Sequence, residues 1–158
     1  MTSLIVDADH GLEDVGELEY LVGFGHALQA YLDAVAAEFG IGRESCTVDL
    51  DVPVSAYLAL DLRSARFPDR ELALLWDERH GWAAAIETHS GEDLIVLDYL
   101  GGTEVCPEPG RVARFVTAVC AEGHTAHRVD PPRLRAPGRH RSLATALAGY
   151  REPPAAGV

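Results

Sequence analysis

The densest group of reactive side chains in this chain is the run Trp76-Asp77-Glu78-Arg79-His80-Gly81-Trp82. Two indoles flank two carboxylates, a guanidinium and an imidazole. Indoles and guanidinium groups are the usual anchors of protein interfaces, because each joins a large contact area to a polar handle. Two indoles also suit a flat ligand held between them. The competing expectation is structural. Apolar runs end at Trp76 and start at Trp82, so both rings could fill a core with their N–H groups on turn carbonyls. The candidate contact residues for a partner or ligand are Trp76, Asp77, Arg79, His80 and Trp82, joined by Tyr57.

Other constellations are weaker. Asp49 and Asp51 are two apart, so on a strand they share one face and could hold a hard cation or act as an acid–base pair. A solvated strand face blunted by charge fits them better. Cys120, His124 and His127 offer thiolate and imidazole donors that suit zinc. The paired-Cys half of a structural site is missing, and a fourth ligand would have to come from Cys106 or His140. No metal and no cofactor is expected. Arg128, Arg133, Arg135, Arg139 and Arg141, with His124, His127 and His140, form a basic tract able to bind phosphate. No aromatic suited to base stacking interrupts it before Tyr150, so sequence readout of nucleic acid is not expected. The acidic remainder of the chain is its nearest counter-charge. The chain has no G-x-S-x-G nucleophile elbow, and Gly101-Gly102 and Gly23-x-Gly25 fit neither a P-loop nor a dinucleotide fingerprint. No catalytic residue is assigned, and the reading leans away from an enzyme.

The elements that must position these groups are legible from periodicity. Leu18, Leu21, Val22, Leu28, Tyr31, Leu32, Val35 and Phe39 recur near helical spacing. Glu13, Asp14, Glu17 and Glu19 precede them, where carboxylates suit the positive end of the helix dipole. Gly23 and Gly25 weaken the pattern by about 1 kcal/mol each, so the segment could be two helices, with a strong one from about Phe24 to Phe39. From Cys46 to Leu62 every second residue is apolar, the mark of a strand with one buried face. Pro53 cannot donate to a ladder, so this run is either an edge strand or two strands broken there. Three more apolar runs, Leu72 to Trp76, Trp82 to Ile86 and Leu94 to Leu100, are joined by short polar turns and must lie antiparallel to one another. They carry apolar residues on both faces, so both faces of the sheet are expected to be covered, the second by a partner protomer or the tail. The face that Trp82 joins depends on the register of the preceding turn. A last helix is expected over Glu108 to Glu122, with Val112, Phe115, Val116 and Val119 as its stripe and Pro109 in its first turn.

The expected fold is therefore α+β: an N-terminal helix, a four-stranded antiparallel meander, a C-terminal helix and a flexible Arg/His/Pro-rich tail. One domain spans residues 13–123, after a flexible acidic arm at residues 1–12. The tail spans residues 124–158, with a short helix from Ser142 to Tyr150.

Bulk composition bounds the partners. The chain has 158 residues, 25 acids and 13 basic residues, all of them Arg, for a net charge of −12. Residues 1–62 hold 12 acids and one Arg, whereas residues 124–158 hold two acids and six Arg. An acidic body repels nucleic acid, so only the tail could contact it. No apolar run approaches the roughly 20 residues of a membrane helix. The acidic start has no basic segment before an apolar one, so no secretory signal is expected. Three cysteines without a CxxC pair suit a reducing compartment, and the cytoplasm is the expected location.

Some of this order is shared with known sequences. Phe67-Pro68, Leu75-Trp76-Asp77-Glu78, His80-Gly81-Trp82, Glu87-Thr88, Tyr99-Leu100-Gly101-Gly102 and Val112-Ala113-Arg114-Phe115-Val116 resemble an actinobacterial family of small domains of unknown function. The resemblance covers roughly residues 24–122 and implies no activity. At the level of element order alone, the chain is similar to small α/β chaperones that dimerise and hold extended client segments. The leading expectation is a non-enzymatic interaction, chaperone-like or regulatory module. It would use the sheet and the Trp76/Trp82 hairpin to hold another chain, in a homodimer or with a protein partner. The alternatives are a small-molecule sensor or enzyme with a pocket between the first helix and the sheet, lined by Tyr31, Tyr57, Trp76 and Trp82, and a phosphate-binding or nucleic-acid-associated factor acting through the tail.

Overall fold

The computed structural model describes residues 22–88, 93–126, 128 and 130–150. The expected arm and the first turns of the first helix lie outside these residues. Helix α1 occupies residues 22–38. Leu28, Tyr31, Leu32 and Val35 are buried along it, the spacing that the sequence offers, and Phe24 joins them, whereas Val22 of the expected stripe is exposed at the start of the helix. Gly40 follows with φ +68°, the left-handed conformation that ends a helix at little cost only in glycine.

One sheet follows, with five antiparallel strands side by side in chain order. They are β1 (Cys46–Asp49), β2 (Ser55–Ala59), β3 (Leu72–Asp77), β4 (Gly81–Glu87) and β5 (Leu94–Tyr99). The count is five where four were expected, because the long alternation from Cys46 is two strands. It breaks at the turn that holds Pro53, and the chain returns so that Cys46 pairs with Leu58 and Asp49 with Ser55. A proline in a central ladder would leave a carbonyl without its donor, so the turn is where it can be placed.

The tightest connection carries the WDERHGW run. Trp76 lies directly opposite Trp82, and Asp77 opposite Gly81. Gly81 has φ +70°, which a β-branched or bulky residue could not adopt without strain. This register puts both indoles on one face, with Leu58, Leu72, Leu74, Ala84 and Ile86, in the buried core.

Helix α2 (Pro109–Cys120) has proline at its start and buries Val112, Val116 and Val119. Together α1 and α2 supply the core opposite the sheet. Residues after α2 form less of a loose tail than composition suggests. Helix α3 (His140–Ala146) and the 3-10 turn Ala148–Tyr150 follow it, and Leu143 and Leu147 are fully closed into the core. The ring of Tyr150 meets that of Tyr31 edge-on at 4.9 Å, and Phe24 of α1 contacts His140 at 5.0 Å. Composition foresees solvation of the Arg and Pro residues, and the leucines between them override it by burial. The tail thus packs on the helical side. The other face of the sheet carries no helix among the described residues, so the tail does not cover it, although Ala73, Ala83 and Ala85 on that face are themselves buried.

Candidate functional site

The side chains singled out by the sequence separate onto two faces. Trp76 and Trp82 are each 1% exposed. Trp76 Nε1 donates to the Val105 carbonyl at 2.8 Å. Trp82 Nε1 donates to the Tyr31 hydroxyl at 3.0 Å, and that hydroxyl donates to the Pro107 carbonyl at 2.5 Å. Burial pushes the Tyr31 phenol far above its ordinary range, so it stays a neutral donor at any physiological pH. Neither indole is presented to a partner, and the three rings fill the space between α1 and the sheet where a pocket was expected. The reason is area: an aromatic ring buries more apolar surface than any other side chain, and its single polar atom is satisfied here by backbone or by Tyr31.

Between these indoles, Glu78 has a role its spacing does not announce. It is completely buried. One carboxylate oxygen accepts the Val54 N–H at 2.6 Å. The other accepts Arg135 Nη1 at 2.8 Å and the Gly138 N–H at 2.6 Å. Arg135 Nη2 continues to the Arg139 carbonyl at 2.9 Å. Glu78 is therefore a latch that ties the hairpin and the start of β2 to the tail. Its neighbours add to the attachment: the Leu134 N–H donates to the Arg79 carbonyl at 2.8 Å, and His80 Nδ1 lies 2.9 Å from the Pro132 carbonyl. Of the tail arginines read as an anion tract, Arg135 is committed to Glu78. Arg128, Arg133, Arg139 and Arg141 are exposed.

A second buried carboxylate, Asp98, sits on the core face of β5 at 1% exposure. It accepts the Tyr99 and Arg128 backbone N–H groups at 2.9 and 3.1 Å, and its other oxygen lies 3.2 Å from His124 Nε2. An acid inside the apolar run of β5 was the available signal for this site. For Glu78 no such signal existed, since its partners come from residues 54, 135 and 138. His124 therefore faces a carboxylate, and no group of three metal-ligating side chains is assembled among the described residues. His127 lies outside them.

The open face of the sheet forms a groove of about 400 Å³. Leu75 and Ala83 lie at its floor, flanked by Tyr57 of β2 and by Leu94, Val96 and Tyr99 of β5. Alanine is what makes it concave. Leu75 pairs with Ala83, Ala73 with Ala85, and Ala83 with Tyr99. A row of methyl groups thus runs between larger residues on the outer strands. The Tyr57 hydroxyl donates to the Glu87 carboxylate on β4, so its ring must cross β3, and alanine at position 73 leaves room for it. Burial, then Glu87 and Glu71, push the Tyr57 phenol up to about 12. At the hairpin end, Asp77 and His80 form the rim. Arg79 donates to Asp77 from Nε and Nη2, each at 3.0 Å. Burial pushes the Asp77 carboxyl up, yet the bonds and charge from Arg79 outweigh it and hold the group below its usual range. The groove continues onto a bare edge: Leu94, Ile95 and Val96 are 37, 47 and 38% exposed. Three consecutive exposed residues mean that β5 is uncovered on both faces at this end.

Tyr57, Asp77 and His80 therefore meet at one groove, with Arg79 bound to its rim, while Trp76 and Trp82 turn their rings to the other face. Leu75, Ala83, Leu94, Val96 and Tyr99 belong to it but carry no mark in the sequence beyond alternation. Asp49 lines the groove's outer end, and Asp51 stands exposed in the turn beyond.

Chemically, the arrangement can bind. Its centre is aliphatic, and the two buried carboxylates among the described residues, Glu78 and Asp98, are held by internal donors on the other side of the sheet or in the hairpin. No described helix is long and apolar enough to cross a membrane. No curated protein and no solved structure matches the chain. A family model does match, over residues 31–118. That span runs from the core face of α1 through the whole sheet to the end of α2, and so includes both the indole pair and the groove. The chain belongs to the family of unknown function DUF6292.

Proposed function

We propose that this protein is a non-enzymatic interaction module that holds a segment of another polypeptide on the open face of its sheet. The observation that carries this reading is the groove of about 400 Å³, floored by Leu75 and Ala83 and continuous with the bare end of β5. Apolar surface of this kind gains free energy when covered, at roughly 25 cal/mol per Å². An unpaired strand edge offers backbone donors and acceptors to an added strand. Contiguous exposed apolar side chains with a polar rim are the usual signature of such a surface. The indole pair supports the role indirectly, since the core it locks makes the sheet a rigid platform.

The phosphate-binding alternative loses its central guanidinium, because Arg135 serves the buried Glu78. A small-molecule ligand would likewise have to sit in this groove, because Tyr31, Trp76 and Trp82 fill the space between α1 and the sheet.

The test uses Nile red, an uncharged apolar dye, added to the folded full-length protein. Its fluorescence should rise and shift to the blue with the wild type. Val96→Glu places a charge in the groove wall and should abolish the response while the melting temperature changes little. Equal dye response in both proteins would overturn the assignment of this face.

A further inference from the structure

We propose that the occupant of this groove is an extended polypeptide segment with an apolar middle and an arginine or lysine at each end. The proposal rests on the reading that the groove holds a partner chain, and it adds that partner's chemistry.

The argument is the distribution of charge around an apolar centre. The two tyrosines of the groove point toward opposite ends of it. At one end the Tyr57 hydroxyl is bonded to Glu87, with Glu71 close enough to raise its pKa further. Glu71 and Glu87 are also joined through the backbone, the Glu87 N–H donating to the Glu71 carbonyl at 3.3 Å. At the other end burial raises the Tyr99 phenol first, and the charges of Asp77 and Asp130 raise it further. Asp49 lines the groove at this same end, since it pairs with Ser55 and Ser55 with Asp77. Arg79 stands at this end too, and both of its bonds go to Asp77. The floor between the ends is Leu75 and Ala83, with Leu94 and Val96 beside them. Carboxylates therefore bracket an aliphatic trough from two sides, in a chain of net charge −12.

Such a field attracts cations and repels anions over about 10 Å at ordinary ionic strength. It also argues against a second copy of this chain packed face to face, because the same acids would then oppose one another. The distance between the acidic ends sets the ligand's length. From Glu71, just before β3, to Asp77 at its end is six residue steps, roughly 20 Å at 3.3 Å per residue. An extended segment laid along it needs about five residues between its terminal cations. Alternate side chains of that segment would face the floor, so every second one should be apolar.

The experiment is fluorescence anisotropy with the full-length protein and three labelled nine-residue peptides. All share a middle of alternating valine and serine. They differ in carrying two arginines, two serines or two glutamates at each end. At low salt the arginine-ended peptide should bind at least about tenfold tighter than the serine-ended one, with the glutamate-ended peptide weakest. A few exposed ion pairs supply that much. The preference should shrink several-fold in 0.5 M salt and in the double variant Asp49→Asn, Glu71→Gln. Both substitutions are isosteric and exposed, and unchanged binding of the serine-ended peptide reports that the fold is intact. Equal binding of the three peptides would overturn the charge argument and leave the groove reading standing. Binding of none, with Nile red also silent, would remove both. Self-association in sedimentation, abolished by Val96→Glu and blocking peptide binding, would overturn the proposal in favour of a second copy.

Discussion

The two faces of the sheet are made by the same strands and differ in what they do. On the core face, Trp76 donates to the Val105 carbonyl, and Trp82 donates to Tyr31, which donates in turn to the Pro107 carbonyl. On the other face, alternate residues of the same strands are mostly alanine and leucine, and the larger Tyr57 and Tyr99 stand at the sides. The difference shows how a period of two divides labour. The largest residues go to the face that has a helix to meet them. The smallest go to the face that is left concave. If the open face binds as proposed, stability and recognition fall to separate side chains one position apart.

That separation can be broken most severely at the indoles. Trp82→Ala removes a buried ring and leaves the Tyr31 hydroxyl without its donor. It should lower unfolding stability by about 3–5 kcal/mol in urea titrations, while the folded fraction still binds Nile red. Almost as large is the latch. Glu78→Ala leaves Arg135 and the Val54 and Gly138 N–H groups without their acceptor, which should cost about 3 kcal/mol. Limited proteolysis should then cut after residue 128 at protein concentrations where the wild type resists. Val96→Glu belongs to the other face, and its expected stability change is within about 1 kcal/mol. A loss larger than the Trp82→Ala loss would show that the open face is structural after all.

Two smaller effects are read from pH. The Arg79 bonds hold Asp77 below the usual carboxylate range against the opposing push of burial. At Asp33, burial pushes the group up but bonds from Arg43 and Gln29 outweigh it. A carboxylate with a depressed pKa contributes stability that is present above its unfolded value, near 4, and lost as pH falls through the folded one. Melting temperature should therefore drop below about pH 4, and less so in Asp77→Asn. Tyr57 runs the opposite way. Its phenol is pushed up to about 12, so the neutral form's contribution is complete below about pH 10 and fades as pH rises through 12. Tyr57→Phe should delete that alkaline step from a phenolate absorbance titration and leave the core phenol of Tyr31 untitrated.

How much of this was legible varies by element. The spacing of Leu28, Tyr31, Leu32 and Val35 marked the core face of α1, though Val22 of the same pattern is 58% exposed and the buried Phe24 lay outside it, and the three tightly joined runs marked β3, β4 and β5, because burial on one face imposes a period that survives in the sequence. Pro53 offered the choice between one strand and two, and only the pairing of Cys46 with Leu58 decided it. The tail misled, since Pro and Arg dominate its composition while Leu143 and Leu147 dominate its energetics. The groove was half legible: Tyr57, Asp77 and His80 were marked, whereas Leu75 and Ala83 look like any strand residues.

By itself, the sequence determined the α+β class, the antiparallel order of the central strands, the helix faces and the acidic balance. Each of these is set by neighbours within a few residues, through hydrogen-bonding period, turn length or simple charge. The tertiary structure alone decided the face taken by Trp82, the burial of Glu78 against Arg135, the docking of the tail and the concavity of the open face. Each of these joins residues far apart in the chain. Such pairings follow from which surfaces close together, and a one-residue shift of register would exchange every side chain between the two faces.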